Sequence, residues 1–189
     1  FWFGVIVLRR YRERGGMHLL WWGIGLLTYG VGAGTEALTT LTGWHEGVFR
    51  AWYITGALLG GAPLGQGTAY LLLSKRTADR LSVALVAVVV IASLFVIAAP
   101  IDYSRVQDHH LTGRVFEWQQ VRLVSPLVNL YALAFLVGGA VLSAVRASRD
   151  ATQRHRVTGI VCIALGGILP GIGGSFTRFG HTEVLYVTE

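Results

Sequence analysis

The sequence predicts an all-α fold, a polytopic transmembrane bundle of about seven helices with the N-terminus outside. Three observations carry that prediction. Of 189 residues, 53% are hydrophobic and only 14% are charged, where soluble domains run nearer a quarter charged. The apolar residues fall into runs long enough to cross the roughly 30 Å hydrocarbon core, which needs about 20 helical residues. The basic residues cluster in alternate connecting loops, which is the pattern that sets membrane topology.

Taken in order, "FWFGVIVL" (1–8) reads as the last part of a span. Complete spans are expected at His18–Leu41, Ala51–Ser74, Leu81–Ile101, Leu123–Val145 and Val157–Thr177, and "TEVLYVTE" (182–189) reads as the beginning of another. The whole of 1–189 is then a single helical membrane domain. Orientation follows from the loops. Segments 9–16, 75–80 and 146–156 carry Arg9, Arg10, Arg12, Arg14, Lys75, Arg76, Arg80, Arg146, Arg149, Arg154 and Arg156, against only Glu13, Asp79 and Asp150. The opposite side balances Arg50, Arg105, Arg114, Arg122 and Arg178 with Glu46, Asp102, Asp108, Glu117 and Glu183. The positive loops belong in the cytoplasm. Trp21, Trp22, Trp44, Trp52 and Trp118 near the span ends suit an interfacial aromatic belt.

Glycine distinguishes the helices. Small residues four apart let helix backbones approach in lipid, and Gly30/Gly34, Gly56/Gly60, Gly61/Gly65 and Gly167/Gly171 have that spacing. Helices two, three and six are therefore expected to form a tight centre. Helix four, Leu81–Ile101, has no glycine and is expected at the edge, as a contact face for lipid or another subunit. Pro63 and Pro170 lie within spans, where they kink the helix and free carbonyls for neighbours to satisfy.

Glu36 raises the sharpest question of function. An ionisable residue within a span is costly and is a site hypothesis by default. Helix two runs from inside to outside, so Glu36 sits in the outer half. Thr55, Asn129 and Glu189 fall at comparable depth, and together these four define a polar layer that is either structural or a ligand or ion site. Arg50, Arg122 and Arg178 lie above as candidate partners of Glu36. Gln66 falls in the inner half and is no part of that layer.

Other chemistries lack their residues. All six histidines fall at span ends or in loops, which leaves no axial pair for an embedded haem. Adjacent His109 and His110 point different ways and make a poor metal site even with Asp102 and Asp108 nearby, so no metal or cofactor is expected. Cys162 is the single cysteine, and no HExxH, GxSxG, phosphate loop or GxGxxG occurs. The expectation is a non-enzyme. A retinal protein is also disfavoured, because the only lysine, Lys75, lies in a loop and helix three has no acidic counter-ion. A nucleic-acid partner is not expected, since the basic clusters mark topology.

The runs "HLLWWGIGLLTYGVGAGTEAL", "FRAWYITGALLG", "LGQGTAYLL", "HRVTG" and "GGSFTRFG" together resemble a group of bacterial multi-pass membrane proteins of no known activity. The resemblance implies about seven helices in a prokaryotic plasma membrane and no functional residue. Two functions remain open on the sequence. One is an accessory or scaffold subunit packing against a larger membrane complex. The other is a small-solute or ion transporter, or a seven-helix sensor, using the outer polar layer around Glu36.

Overall fold

The computed structural model describes residues 1–148, with side chains through Val145. Six α-helices are formed among these residues: α1 (Trp2–Arg14), α2 (Met17–Thr42), α3 (Glu46–Trp52), α4 (Ala62–Leu72), α5 (Lys75–Ala98) and α6 (Val121–Ser148). The fold is all-α. The expected segments Val157–Thr177 and 182–189 lie outside the described residues.

Successive helical segments alternate in direction, with α3 and α4 running the same way as two parts of one segment. Gly15 and Gly16, at φ 69° and 95°, make the tight reversal between α1 and α2. The two helices then pack antiparallel, with Gly4 against Leu26 and Leu27 and Gly23 against Leu8. Between α4 and α5 the reversal takes only Leu73 and Ser74, and the Ser74 hydroxyl caps α5 by accepting from the Thr77 amide at 3.3 Å. Both reversals lie at the same end, because the carbonyl of His18 approaches Gly67 late in α4. That end carries Arg9–Arg14, Lys75, Arg76 and Arg80 and is the basic end.

At the opposite end the chain from Ala99 to Gln120 folds as a short-range cap. Ile101 and Phe116 form an antiparallel bridge, the Asp102 amide donates to the Val115 carbonyl at 2.8 Å, and the Glu117 amide donates to Pro100 at 3.1 Å. Phe116 thereby enters a buried cluster with Phe49, Tyr53, Val96, Ile101 and Val115. The Phe49 and Phe116 rings are 5.0 Å apart, and the Tyr53 ring meets Phe116 edge-on at 4.9 Å. Pairs of this geometry add about 0.5–1.5 kcal/mol beyond their burial. His109, at φ 65°, ties the cap to the end of α2 through Nδ1, 2.9 Å from the Thr40 carbonyl oxygen.

The span expected over Ala51–Ser74, with a kink at Pro63, is two helices joined by an irregular passage. After α3 the chain widens into a π-helical segment, Tyr53–Leu58, where the Leu59 amide reaches back five residues to the Ile54 carbonyl at 2.9 Å. Leu59–Gly61 then break the helix and α4 begins at Ala62. Pro63 explains the position of the break, since it has no amide to donate and its ring clashes with the carbonyl four residues back, that of Leu59. That carbonyl instead accepts from Ala62 at 2.7 Å.

The broken helix packs between α2 and α6, and both packings use its glycines. The α2 crossing is at Gly32 and Gly56, where a Cβ on Gly32 would stand 3.0 Å from the Gly56 Cα. On the other side, a Cβ on Gly65 would meet the Ala132 Cα at 2.9 Å, and one on Gly61 the Ala132 Cβ at 3.3 Å. Of the expected seam residues in α2, Gly30 faces the Phe1 ring of α1, and no described residue lies within 4 Å of a Cβ on Gly34. Gly167 and Gly171 lie outside the described residues.

Two helices, Lys75–Ala98 and Val121–Val145, are long and apolar enough to cross a membrane. Only 17% and 22% of their most apolar stretches are buried, whereas the core helix of a water-soluble protein is mostly covered.

Candidate functional site

The break in the middle of the third helical segment brings the buried Ser125 and its neighbour Asn129 against a freed backbone carbonyl. In an unbroken helix the Ala57 carbonyl would accept from the amide four residues ahead. Here it accepts from two side chains of α6: the Ser125 hydroxyl at 2.5 Å and Asn129 Nδ2 at 3.1 Å. Asn129 Nδ2 also lies 3.3 Å from the Ser125 Oγ, closing a three-membered set. Gly60 completes the passage at φ +33°, and a Cβ there would lie 2.9 Å from the Gly56 carbonyl oxygen and 3.0 Å from Asn129 Oδ1. Glycine alone fits that position.

Each half of the broken helix is then fastened to the continuous rod of α5. Toward the cap, Arg50 donates from Nη2 to the Ala99 carbonyl at 2.9 Å and from Nη1 to the Val96 carbonyl, capping the exposed carbonyls at the C-terminus of α5. Its guanidinium is held by Glu46, with Nε and Nη2 donating to Oε1 at 2.9 and 2.7 Å. Tyr103 of the cap donates to the other Glu46 oxygen at 2.6 Å. That phenol and the Arg50 guanidinium hold the Glu46 carboxyl below its usual value of 4.5, and the same bond raises the Tyr103 phenol.

Toward the basic end, Gln66 is fully buried in α4. Its Nε2 donates to the Ala78 carbonyl at 3.0 Å and to Ser82 Oγ at 2.8 Å, and its Oε1 accepts from the Tyr131 hydroxyl of α6. The Ser82 hydroxyl donates to Tyr70 at 3.0 Å, the Tyr70 hydroxyl to Asp79 at 2.7 Å, and Lys75 donates to Asp79 at 2.8 Å. The chain links α4, α5 and α6 with each donor matched to an acceptor. A buried amide so satisfied fixes the register of the three helices, because any slip leaves it unpaired.

The sequence-predicted residues are distributed over this frame. Asn129 is at the break. Thr55 lies in the π segment and donates to its own helix, to the Ala51 carbonyl at 2.7 Å. Glu36 is half-buried on α2, one turn beyond the Gly32 crossing, about 6 Å further toward the cap at 1.5 Å per residue. Asn129 faces Gly60, one turn from Gly56 in the other direction. Of the candidate Glu36 partners, Arg50 is engaged by Glu46 and the α5 carbonyls, and Arg122 Nη1 donates to Gln119 Oε1 at 2.7 Å. Arg178 and Glu189 lie outside the described residues.

Sequence reasoning missed Ser125, Tyr131 and Ser82. Their signal was present: each is a polar residue in an apolar run at the depth of a break or of Gln66. Among the described residues no group of three or more His, Cys, Asp or Glu side chains converges to hold a metal ion.

Two surface hollows accompany the frame, and both are apolar. One of about 330 Å³ lies between α5 and α6 beneath Trp118, lined by Ala92, Phe95, Val121 and Val124. The other, about 480 Å³, runs along α5 itself between Val83, Val86, Val90 and Ile91. Compared with known protein families, characterised proteins and solved structures, the chain matches none.

Proposed function

We propose that the chain is a non-enzymatic integral membrane protein of about seven helices, with the N-terminus outside and the basic end in the cytoplasm. We read it as an accessory or scaffold subunit that packs against a larger membrane protein complex. The observation that carries this reading is α5. It holds the more apolar of the two stretches long and apolar enough to cross a membrane, is pinned on one side by Arg50 and Gln66, and leaves Val83, Val86, Val90, Leu94 and Ile97 exposed along the other. These residues recur every three or four positions, the spacing at which one helix meets another. Both apolar hollows also open along α5. The resemblance to bacterial multi-pass proteins makes a prokaryotic plasma membrane its expected place.

The second reading, a small-solute or ion transporter or a seven-helix sensor, is favoured by one observation. A helix broken in mid-bilayer is where transporters build their sites. Against it, the freed Ala57 carbonyl is already taken by Ser125 and Asn129, so the break is sealed by the chain itself. The deciding experiment is native mass spectrometry of the tagged protein extracted from its own membrane in mild detergent. A reproducible larger assembly sustains the subunit reading. A lone monomer overturns it, and uptake and binding by Glu36→Gln and Asn129→Ala variants then become the test of the second.

A further inference from the structure

The two ends of the molecule treat their arginines differently. At the cap, Arg50 pairs with Glu46 at 2.7 Å, Arg105 with Asp102 at 2.8 Å, and Arg122 bonds Gln119. At the basic end the opposite holds. Arg10, Arg12, Arg14, Arg76 and Arg80 are exposed and make no ion pair among the described residues, while Arg9 reaches Glu13 only at 3.9 Å. The one further acid there among the described residues, Asp79, is already taken by Lys75 and Tyr70. Positive-inside topology accounts for the sign of these charges but not for their being left unpaired among the described residues.

Their placement on α1 is specific. The helix runs unbroken from Trp2 to Arg14, packing along α2 through Gly4 and Leu8. Its other side is bare: Trp2, Phe3, Val5 and Ile6 are 80, 64, 50 and 43% exposed. Four arginines follow within about two turns, the first only three residues beyond Ile6. An apolar helix side that ends directly in a cluster of cations has the polarity profile of one leaflet of a bilayer. Its apolar part, Val5 and Ile6, has the polarity of the acyl-chain region, and Arg9–Arg12 that of a site facing anionic headgroups.

We infer that the end of α1 is a binding surface for anionic phospholipid of the cytoplasmic leaflet, held through its phosphate by Arg9, Arg10, Arg12 and Arg14. Guanidinium is suited to phosphate because its planar donors meet two oxygens at once. The inference rests on the chain spanning a membrane, but not on its being a subunit. Near an anionic leaflet each such cation contributes about fivefold to association, equivalent to about 1 kcal/mol, and the attraction is screened by salt.

The test is reconstitution of the full chain into vesicles of phosphatidylcholine with a minor share of phosphatidylglycerol, followed by gentle extraction and mass measurement of retained lipid. The expected result is enrichment of phosphatidylglycerol over its share in the vesicle, lost at high salt and not displaced by excess inorganic phosphate. Replacing Arg10 and Arg12 by glutamine should lower the enrichment at least tenfold, while Arg105→Gln at the cap leaves it unchanged. Retention in proportion to vesicle composition overturns the inference, as does enrichment that survives in the Arg10/Arg12 variant. Displacement by inorganic phosphate would make the surface a phosphate site and overturn the lipid assignment. Failure to insert into vesicles at all would overturn the membrane reading as well, and is scored separately by alkaline extraction.

Discussion

Asn129 of α6 donates through Nδ2 to the Ala57 carbonyl oxygen at 3.1 Å, across the gap where the third helical segment breaks. A side chain seventy-two residues away supplies what the local backbone cannot. In hydrocarbon a carbonyl without a donor costs several kcal/mol, so the break and its two side-chain donors are one structural unit.

Asn129→Ala should therefore destabilise the protein by only about 0.5–1.5 kcal/mol, the net worth of one hydrogen bond, because Ser125 still serves the carbonyl. Ser125→Ala alone should cost a similar amount, because Asn129 still serves it. The double variant should exceed the sum of the singles, since only then is Ala57 left with neither donor. Thermal unfolding in detergent checks this. Strict additivity would mean that the two side chains do not share the carbonyl.

Gly32 and Gly34 make a second, sharper comparison. A Cβ on Gly32 would meet backbone, the Gly56 Cα at 3.0 Å, which cannot move aside as a side chain can. Gly32→Ala should push α2 from the π segment and cost about 1–3 kcal/mol, as over-packing does. Gly34→Ala should be neutral or gain up to about 1 kcal/mol from helix propensity, since no described residue stands within 4 Å. Melting temperatures of the two variants, measured side by side, decide it. Equal losses would put Gly34 in the seam.

That comparison also marks how far the fold was legible in the sequence. Apolar run length located the helices, and Pro63 signalled a disturbance in the third segment, because a missing amide is a local and unconditional fact. The depth of the disturbance was not local. Whether proline yields a kink or a full break depends on what receives the freed carbonyl, and Ser125 and Asn129 lie on a helix some seventy residues later. Glycine spacing named a kind of contact, while among the described residues the α2 crossing falls at Gly32, and Gly167 and Gly171 of the expected sixth span lie outside them. Gly30/Gly34 and Gly32 satisfy small-residue patterns on different faces, and only the crossing with Gly56 selects Gly32. Arg50 was legible as a charge needing a partner. Its nearest carboxylate proved to be one turn away on its own helix, at Glu46, which sequence spacing of four already favours.

Gln66 and Tyr131 test whether the buried polar chain sets helix register. Gln66→Leu leaves Tyr131, Ser82 and the Ala78 carbonyl each short of a partner, for an expected loss of about 2–4 kcal/mol. Tyr131→Phe removes one link and should cost about 1–2 kcal/mol. Combined, they should cost less than their sum, because the bond they share can be lost only once. A double-mutant cycle by denaturation reads this directly, and a coupling of zero would remove the Tyr131–Gln66 bond from the account.

Glu46 brings pH into the cap. Tyr103 and then Arg50 lower its folded-state pKa below the usual 4.5, so the folded state binds this proton less readily than the unfolded chain does. The sign follows from linkage. The stabilisation is fully present above the unfolded value and fades as pH falls through 4.5 to the lower folded value. Protonated Glu46 can no longer pair with Arg50, whose two bonds to the Val96 and Ala99 carbonyls then hold without their anchor. The cap end should consequently loosen below about pH 4.5 while the Gln66 chain, built of groups neutral in that range apart from Asp79 and Lys75, holds. Hydrogen exchange at pH 6 and pH 4 should show increased exchange at the end of α5 and through Tyr103, with little change around Ala78. In Glu46→Gln that region should exchange faster at both values and lose most of its pH dependence, and an unchanged pH response in that variant would assign the effect to another carboxylate, Asp102 first, whose pKa is also lowered.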